Sequence, residues 1–189
     1  MADLTDHQFQ YVEGQGRTGF AALLAHYQQL SDEAAALPGV TLDLPYGAHP
    51  RQRFDFFAAQ GSARGVMLYL HAGYWQSRDK SLFRFLAPAF QARGFHVALA
   101  NYPLCPEVSL DALVQAVAPS VAAVAQRARQ GGGPDLPLVV AGHSAGAHLA
   151  SLLGLAQAGD DLAQAELILG QIRLPRTLLG LLVGAVLAL

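Results

Sequence analysis

A chain of 189 residues that is 52% hydrophobic and only 14% charged is not a disordered polymer, since disorder requires low hydrophobicity and high net charge. Its length allows one domain but not two full enzyme domains. With 12 Lys+Arg against 14 Asp+Glu there is no basic block to neutralise a row of phosphates, which argues against nucleic acid as a partner.

The chain divides into an N-terminal helical segment, residues 1–39, and a main domain, residues 40–189. Residues 1–10 carry Asp3 and Asp6 and no apolar stretch, so no signal peptide is read there. Phe20, Leu23, Leu24, Tyr27 and Leu30 recur at helical spacing and predict a helix over 19–36. Pro38-Gly39 stops it. Val40–Leu44 and Arg53–Ala58 flank Tyr46-Gly47 and read as antiparallel edge strands. Gly65–Leu70 is a continuous apolar run, as a central buried strand should be. The loop His71–Arg78 follows, then a helix over 79–92 with Leu82, Phe83, Leu86 and Phe90 inward. Phe95–Ala100 is a second buried strand. Ser109 is placed as N-cap of a helix to about Gln130, with Leu110, Leu113, Val117, Val121 and Val124 on one face. Leu136–Val140 is a third buried strand and runs into a helix over 145–157. Helical pattern returns over 162–169, and Thr177–Leu189 reads as a fourth buried strand. Strand–helix alternation with so little charge predicts an α/β fold with a mostly parallel, doubly wound sheet.

The last 13 residues are uncharged, but a spanning helix needs about 20. Arg173, Pro175 and Arg176 obstruct extension backwards, so no membrane segment is expected and a cytoplasmic protein is the default. The single cysteine, Cys105, cannot form an internal disulfide and is read as a packing residue.

Gly142-His143-Ser144-Ala145-Gly146 matches G-x-S-x-G between an apolar strand and a helix, the context of a nucleophile elbow. Such a turn lifts the serine hydroxyl above the sheet, and glycines two residues either side avoid collision. The following helix directs its free N–H groups at a developing oxyanion. The alternative is a Gly-rich turn with a harmless serine. His71-Ala72-Gly73-Tyr74-Trp75 follows the first central strand, where this architecture takes its second oxyanion donor. Small residues at 72 and 73 let a backbone N–H approach closely. Tyr74 and Trp75 are candidates for an aromatic pocket wall, with ordinary packing as the alternative, and His71 is grouped with them at the substrate.

Together with Asn101-Tyr102-Pro103-Leu104-Cys105-Pro106 and the elbow's continuation Ala147-His148, these residues resemble the kynurenine formamidase (arylformamidase) branch of the α/β-hydrolase fold, near the H-G-G esterases. The resemblance runs from about residue 40 to 158. It implies Ser144 as nucleophile and Gly73 and Ala145 as backbone oxyanion donors, with Ala72 standing where the family pattern has glycine. It implies hydrolysis of N-formylkynurenine to kynurenine and formate, or of a similar aryl formamide or ester. A carboxylesterase of the H-G-G type is the alternative. No metal or organic cofactor is implied.

In this fold the triad acid and histidine follow the serine. The 45 residues after Ser144 hold Asp160, Asp161, Glu166 and His148. Asp160 and Asp161 are read as a solvated cap, and His148 shares a helix with Ser144. The other histidines have no placement that reaches the serine. His143 and His148 are separated around a helix and make no metal pair. The expectation is therefore an N-terminal portion of a hydrolase, nearly inactive alone, with a sheet edge near 177–189 that promotes self-association. A catalytically dead interaction protein on the same fold is a further reading. Gly14-Gln15-Gly16-Arg17-Thr18-Gly19 also satisfies G-x-G-x-x-G, with Asp43 downstream at a strand end. Only Phe9–Val12 precedes it, interrupted by Gln10, so a dinucleotide site is disfavoured.

Overall fold

The computed structural model describes residues 19–130, 135–157 and 187–188. Helix α1 spans Phe20–Ala35. Its inward stripe runs through Tyr27, stacked on Phe85 at 4.6 Å, and Ser31, whose hydroxyl accepts the Phe85 N–H at 3.2 Å. Leu23, one turn earlier and expected inward, is 43% exposed. The hairpin β1 (Val40–Pro45) and β2 (Arg53–Phe57) is antiparallel, as its alternation implied. Asp43 sits at a register shift with φ 57, the left-handed backbone that a bulge requires of one residue.

The centre of the sheet is β3 (Gly65–Leu70), flanked in parallel by β4 (Phe95–Ala100) and β5 (Leu138–Gly142). The order is β1-β2-β4-β3-β5-β6, with β2 antiparallel to β4. Here β6 is Leu187–Ala188, antiparallel to Val139 and Val140. The rest of the strand expected over 177–189 lies outside the described residues, as does the helical pattern of 162–169. The sheet is thus mixed, with a parallel centre.

Both faces of that centre are covered, which is why GVMLYL shows no polar alternation. On one face Val66, Leu68, Leu70, Ala98, Ala100 and Val140 pack beneath Leu113, Val117, Val124, Leu149 and Leu153. On the other, Met67, Val97, Leu99 and Ala141 meet Ala34 and Ala87. Leu68 and Leu70 are fully buried, worth about 1.5–3 kcal/mol each by transfer.

Two predicted helices are broken, each at a proline. Residues 80–91 form a 3-10 segment, Lys80–Leu86, and a short α2, Ala87–Gln91. Pro88 stands in the first turn of α2, where its missing N–H costs nothing. It cannot, however, donate back to Arg84 as an uninterrupted α-helix would need. Pro119 likewise divides α3 (Leu110–Val117) from α4 (Pro119–Arg129). Ser109 caps α3 as expected, accepting the Ala112 N–H at 3.2 Å. Leu113, Val117 and Val124 are buried, whereas Leu110 and Phe90 are 38% exposed. Helix α5 covers Ala145–Gln157.

Candidate active site

Strand pairing sets the level of the site. Leu70 pairs with Ala100 on one side and with Gly142 on the other. Three loops therefore leave the sheet side by side, beginning at His71, Asn101 and His143.

At the end of β5 the chain turns sharply into α5. Ser144 has φ 54, a left-handed conformation that costs a non-glycine residue about 1–2 kcal/mol. The glycines around it are required by contact. A Cβ on Gly142 would lie 2.6 Å from the Ala147 nitrogen, and one on Gly146 would lie 2.5 Å from the Leu70 carbonyl carbon and 2.7 Å from the His71 oxygen. The first turn of α5 thus rests directly on the start of the loop 71–78. Ala145 is buried and, as the first residue of α5, belongs to the N–H groups with no intrahelical acceptor. Ser144 is half-buried and His143 exposed.

The loop 71–78 is strained and tightly held. Gly73 has φ 145, Tyr74 58, Trp75 60 and Arg78 75. A Cβ on Gly73 would lie 2.8 Å from the Ser77 carbonyl carbon, so glycine is obligatory at 73. Ala72 is not among the positive-φ residues, so its backbone does not require glycine. The Gly73 carbonyl accepts from Gln76 N at 3.0 Å, Ser77 N at 2.9 Å and the Ser77 hydroxyl at 3.0 Å. The Trp75 carbonyl accepts from Cys105 N at 2.8 Å. These bonds hold backbone that would otherwise relax.

His71 is 1% exposed and stacks on Tyr102 at 4.4 Å and Phe83 at 5.8 Å. Its Nδ1 donates to the Ala72 carbonyl at 2.7 Å. Burial pushes its pKa down to about 4, so the ring is neutral. Nε2 then holds a lone pair with no hydrogen-bond partner among the described residues. The ring orders the loop from beneath. Tyr74 is 61% exposed. Trp75 is half-buried and meets the His148 ring edge-on at 5.4 Å. Burial also lowers the His148 pKa. Trp75 Nε1 and His148 Nδ1 are buried without a hydrogen-bond partner among the described residues. Two polar atoms thus go unused beside the serine.

Several polar residues to which the motifs assigned no role support this loop. Asn101 accepts from Lys80 N at 2.7 Å and donates to Asp79 Oδ2 at 2.5 Å. Burial would raise the Asp79 pKa, but bonds from Ser81 and Asn101 outweigh it and hold the carboxyl below its usual range. Lys80, 2% exposed, bridges Asp43 at 2.6 Å and the fully buried Asp55 at 2.8 Å, and Arg84 pairs with Asp55 at 2.7 Å. The acid that a dinucleotide site would require at 43 is therefore occupied by a lysine, and Gly14–Thr18 lie outside the described residues. Asp160, Asp161 and Glu166 also lie outside them. Among the described residues no group of three or more His, Cys, Asp or Glu side chains is arranged to hold a metal ion. No helix there is long and apolar enough to cross a membrane.

Known proteins are similar to this chain in sequence and in fold. Kynurenine formamidase of Danio rerio is 32% identical over 125 residues, covering 65% of this chain and 41% of that protein. Its counterpart in Drosophila melanogaster is 33% identical over 135 residues, covering 68% and 44%. The chain thus spans about two fifths of the length of these curated relatives. Among solved structures, a candidate thioesterase from Silicibacter sp. TM1040 is 33% identical with a TM-score of 0.67, over 77% of this chain and 53% of that one. Esterase B from Lactobacillus rhamnosis is 22% identical with a TM-score of 0.60, over 77% and 50%. The sheet order and these superpositions establish the α/β-hydrolase fold. The BD-FAE family model matches residues 55–170, from β2 through both loops and the elbow helix, and on that match the chain belongs to the BD-FAE family.

Proposed function

We propose that the chain is the serine-bearing part of a hydrolase that cleaves an acyl bond, of the arylformamidase type. One observation carries this reading. Ser144 is held at φ 54 in a turn whose glycine at 146 packs on the Leu70 and His71 carbonyls. That packing sets the start of α5 against the loop of Gly73. Identity of about one third to kynurenine formamidases supports the formamide as substrate. Likeness to esterase structures keeps an ester as the second reading.

In this mechanism the Ser144 oxygen attacks the formyl carbon. The carbonyl oxygen becomes an oxyanion and accepts from the Gly73 and Ala145 N–H groups, with Ala72 N–H beside them. Collapse expels the arylamine, which takes up a proton. Water then attacks the formyl ester on Ser144 and releases formate. The serine proton must pass to a base, and among the described residues no histidine ring hydrogen-bonds the Ser144 hydroxyl. Tyr74 and Trp75 line the approach. Behind them the His148 ring, whose pKa burial lowers, backs the Trp75 indole edge-on at 5.4 Å.

The test is covalent. The 189-residue protein is treated with a fluorophosphonate and, separately, with a p-nitrophenyl ester and an N-formyl arylamine, and its peptides are weighed by mass spectrometry. A slowly formed adduct on the peptide holding Ser144, absent in Ser144→Ala, is expected, because no base among the described residues activates the hydroxyl. The relative rates with formamide and ester then rank the two substrate classes. Labelling no faster than in Ser144→Ala overturns the reading and leaves a non-catalytic protein on a hydrolase fold.

A further inference from the structure

We infer that Arg51, from the turn between β1 and β2, is a positioning residue for the loop that carries the oxyanion donor Gly73; the inference rests on the roles proposed above for Ser144 and Gly73. The guanidinium spans three points. Nε donates to the Tyr102 carbonyl at 2.9 Å, Nη2 to the Arg78 carbonyl at 2.8 Å, and Nη1 reaches Asp79 Oδ2 at 3.4 Å. Tyr102 in turn donates its hydroxyl to the His71 carbonyl at 2.7 Å. The loop is therefore closed into a ring. Its first residue is tied to Tyr102 by the phenol, and its last is tied to Tyr102 through Arg51.

The closure matters because of what lies inside it. Four residues between 71 and 79 hold positive φ, three of them with side chains. Such backbone persists only where its surroundings over-determine it. Gly73 is anchored from within by Gln76 and Ser77, but those bonds move with the loop. The ties to fixed structure are at 71, at 75 and at 78–79, and the last depends on Arg51 and Asn101. Arg51 is itself set, with its N–H donating to His49 Nδ1 at 3.1 Å, and its side chain is only 24% exposed. A lysine would keep the charge beside Asp79 but, having one nitrogen, cannot span the carbonyls of 78 and 102 together.

Trp75 is the single tryptophan of the chain, so its fluorescence reads the loop without any reference to catalysis. The experiment compares wild type, Arg51→Lys and Arg51→Met. It measures acrylamide quenching of Trp75, thermal unfolding, the rate of fluorophosphonate labelling at Ser144, and, where ester turnover is measurable, kcat and KM separately. The expected result for Arg51→Lys is a cooperative melt, about twofold greater quenching, and a labelling rate or kcat lowered about tenfold with KM little changed. That drop lies within the roughly 100-fold that a 1 Å misplacement can cause. Arg51→Lys with wild-type quenching and wild-type labelling overturns the inference, since charge alone then suffices. If wild type labels no faster than Ser144→Ala, the proposed function fails, and Trp75 quenching still decides whether Arg51 holds the loop.

Discussion

Replacing Gly146 by alanine tests the elbow more sharply than replacing the serine. Position 146 is inside α5 and is not among the glycines with positive φ. Alanine is thus free to adopt its backbone, and helix propensity alone would stabilise the variant by about 1 kcal/mol. The contact geometry has the opposite sign. The added methyl would lie 2.5 Å from the Leu70 carbonyl carbon and 2.7 Å from the His71 oxygen, where ordinary contact begins near 3.4 Å. Both atoms are backbone. Leu70 ends the central strand and pairs with Ala100 and Gly142, so β3 has no slack. The Leu70 carbonyl oxygen would be nearer still, so relief requires α5 to withdraw by at least about 1 Å, carrying Ser144 and Ala145 away from the Gly73 loop. Overpacking of this kind costs typically 1–3 kcal/mol, and with backbone on both sides the upper end applies. We expect Gly146→Ala to lose about 3 kcal/mol in urea unfolding and about 100-fold in Ser144 labelling, the size that a 1 Å misplacement can produce. Gly61→Ala is the control, with φ 78 and nothing within 4 Å of the added atom. It should lose only the left-handed backbone cost of about 1–2 kcal/mol and leave labelling unchanged. A Gly146→Ala protein as stable and as reactive as wild type would refute the packing of α5 on the loop.

Asp55→Ala should be among the most destabilising changes at a polar site. It leaves the buried Lys80 with only the Asp43 partner and Arg84 without its carboxylate, and stranding buried charge costs about 3–5 kcal/mol, measured by urea midpoint at constant slope. The pH dependence of stability follows from His71. Its folded pKa of about 4 lies below the ordinary 6.5, so between those values the unfolded chain binds the extra proton and stability falls as pH falls. At 1.36 kcal/mol per pKa unit the full loss is about 3 kcal/mol. In His71→Gln that portion of the slope between pH 6.5 and 4 should vanish, and burial of His148 and His96, whose pKa values are also lowered, leaves a smaller residue of the same sign.

Strong periodic signals were legible because they are local. Gly65–Leu70 and Phe95–Ala100 have the predicted bounds, and apolar runs covered on both faces offered no other reading. The elbow was legible because a turn needing small residues at 142 and 146 writes them into the sequence. The 3-10 segment was not, since its side chains recur with nearly the period of an α-helix and only Pro88 marks the break. Pro119 inside α3–α4 was passed over for the same reason. The support of the loop was illegible in a different way. Arg51 and Arg78 are 27 residues apart, and Lys80 and Asp43 are 37. No spacing rule connects an arginine in a hairpin turn with a carbonyl that far along. The burial of Asp55 in β2 was illegible too, because the lysine and arginine that neutralise it come from another element.

The alignment of Leu70, Ala100 and Gly142 has a consequence for how such a protein diverges. The starting height of each loop is fixed by main-chain hydrogen bonds between strands, which any side chain that suits a buried strand will preserve. Substitutions beyond those three residues can therefore alter the surface around Ser144 while Ser144 and Gly73 keep their relative level. Insertions within β3, β4 or β5 have no such freedom, because adding one residue would raise one loop by a strand step of about 3.3 Å and turn its side chains to the opposite face. Variation should accordingly collect in the loops and spare the lengths of the three central strands.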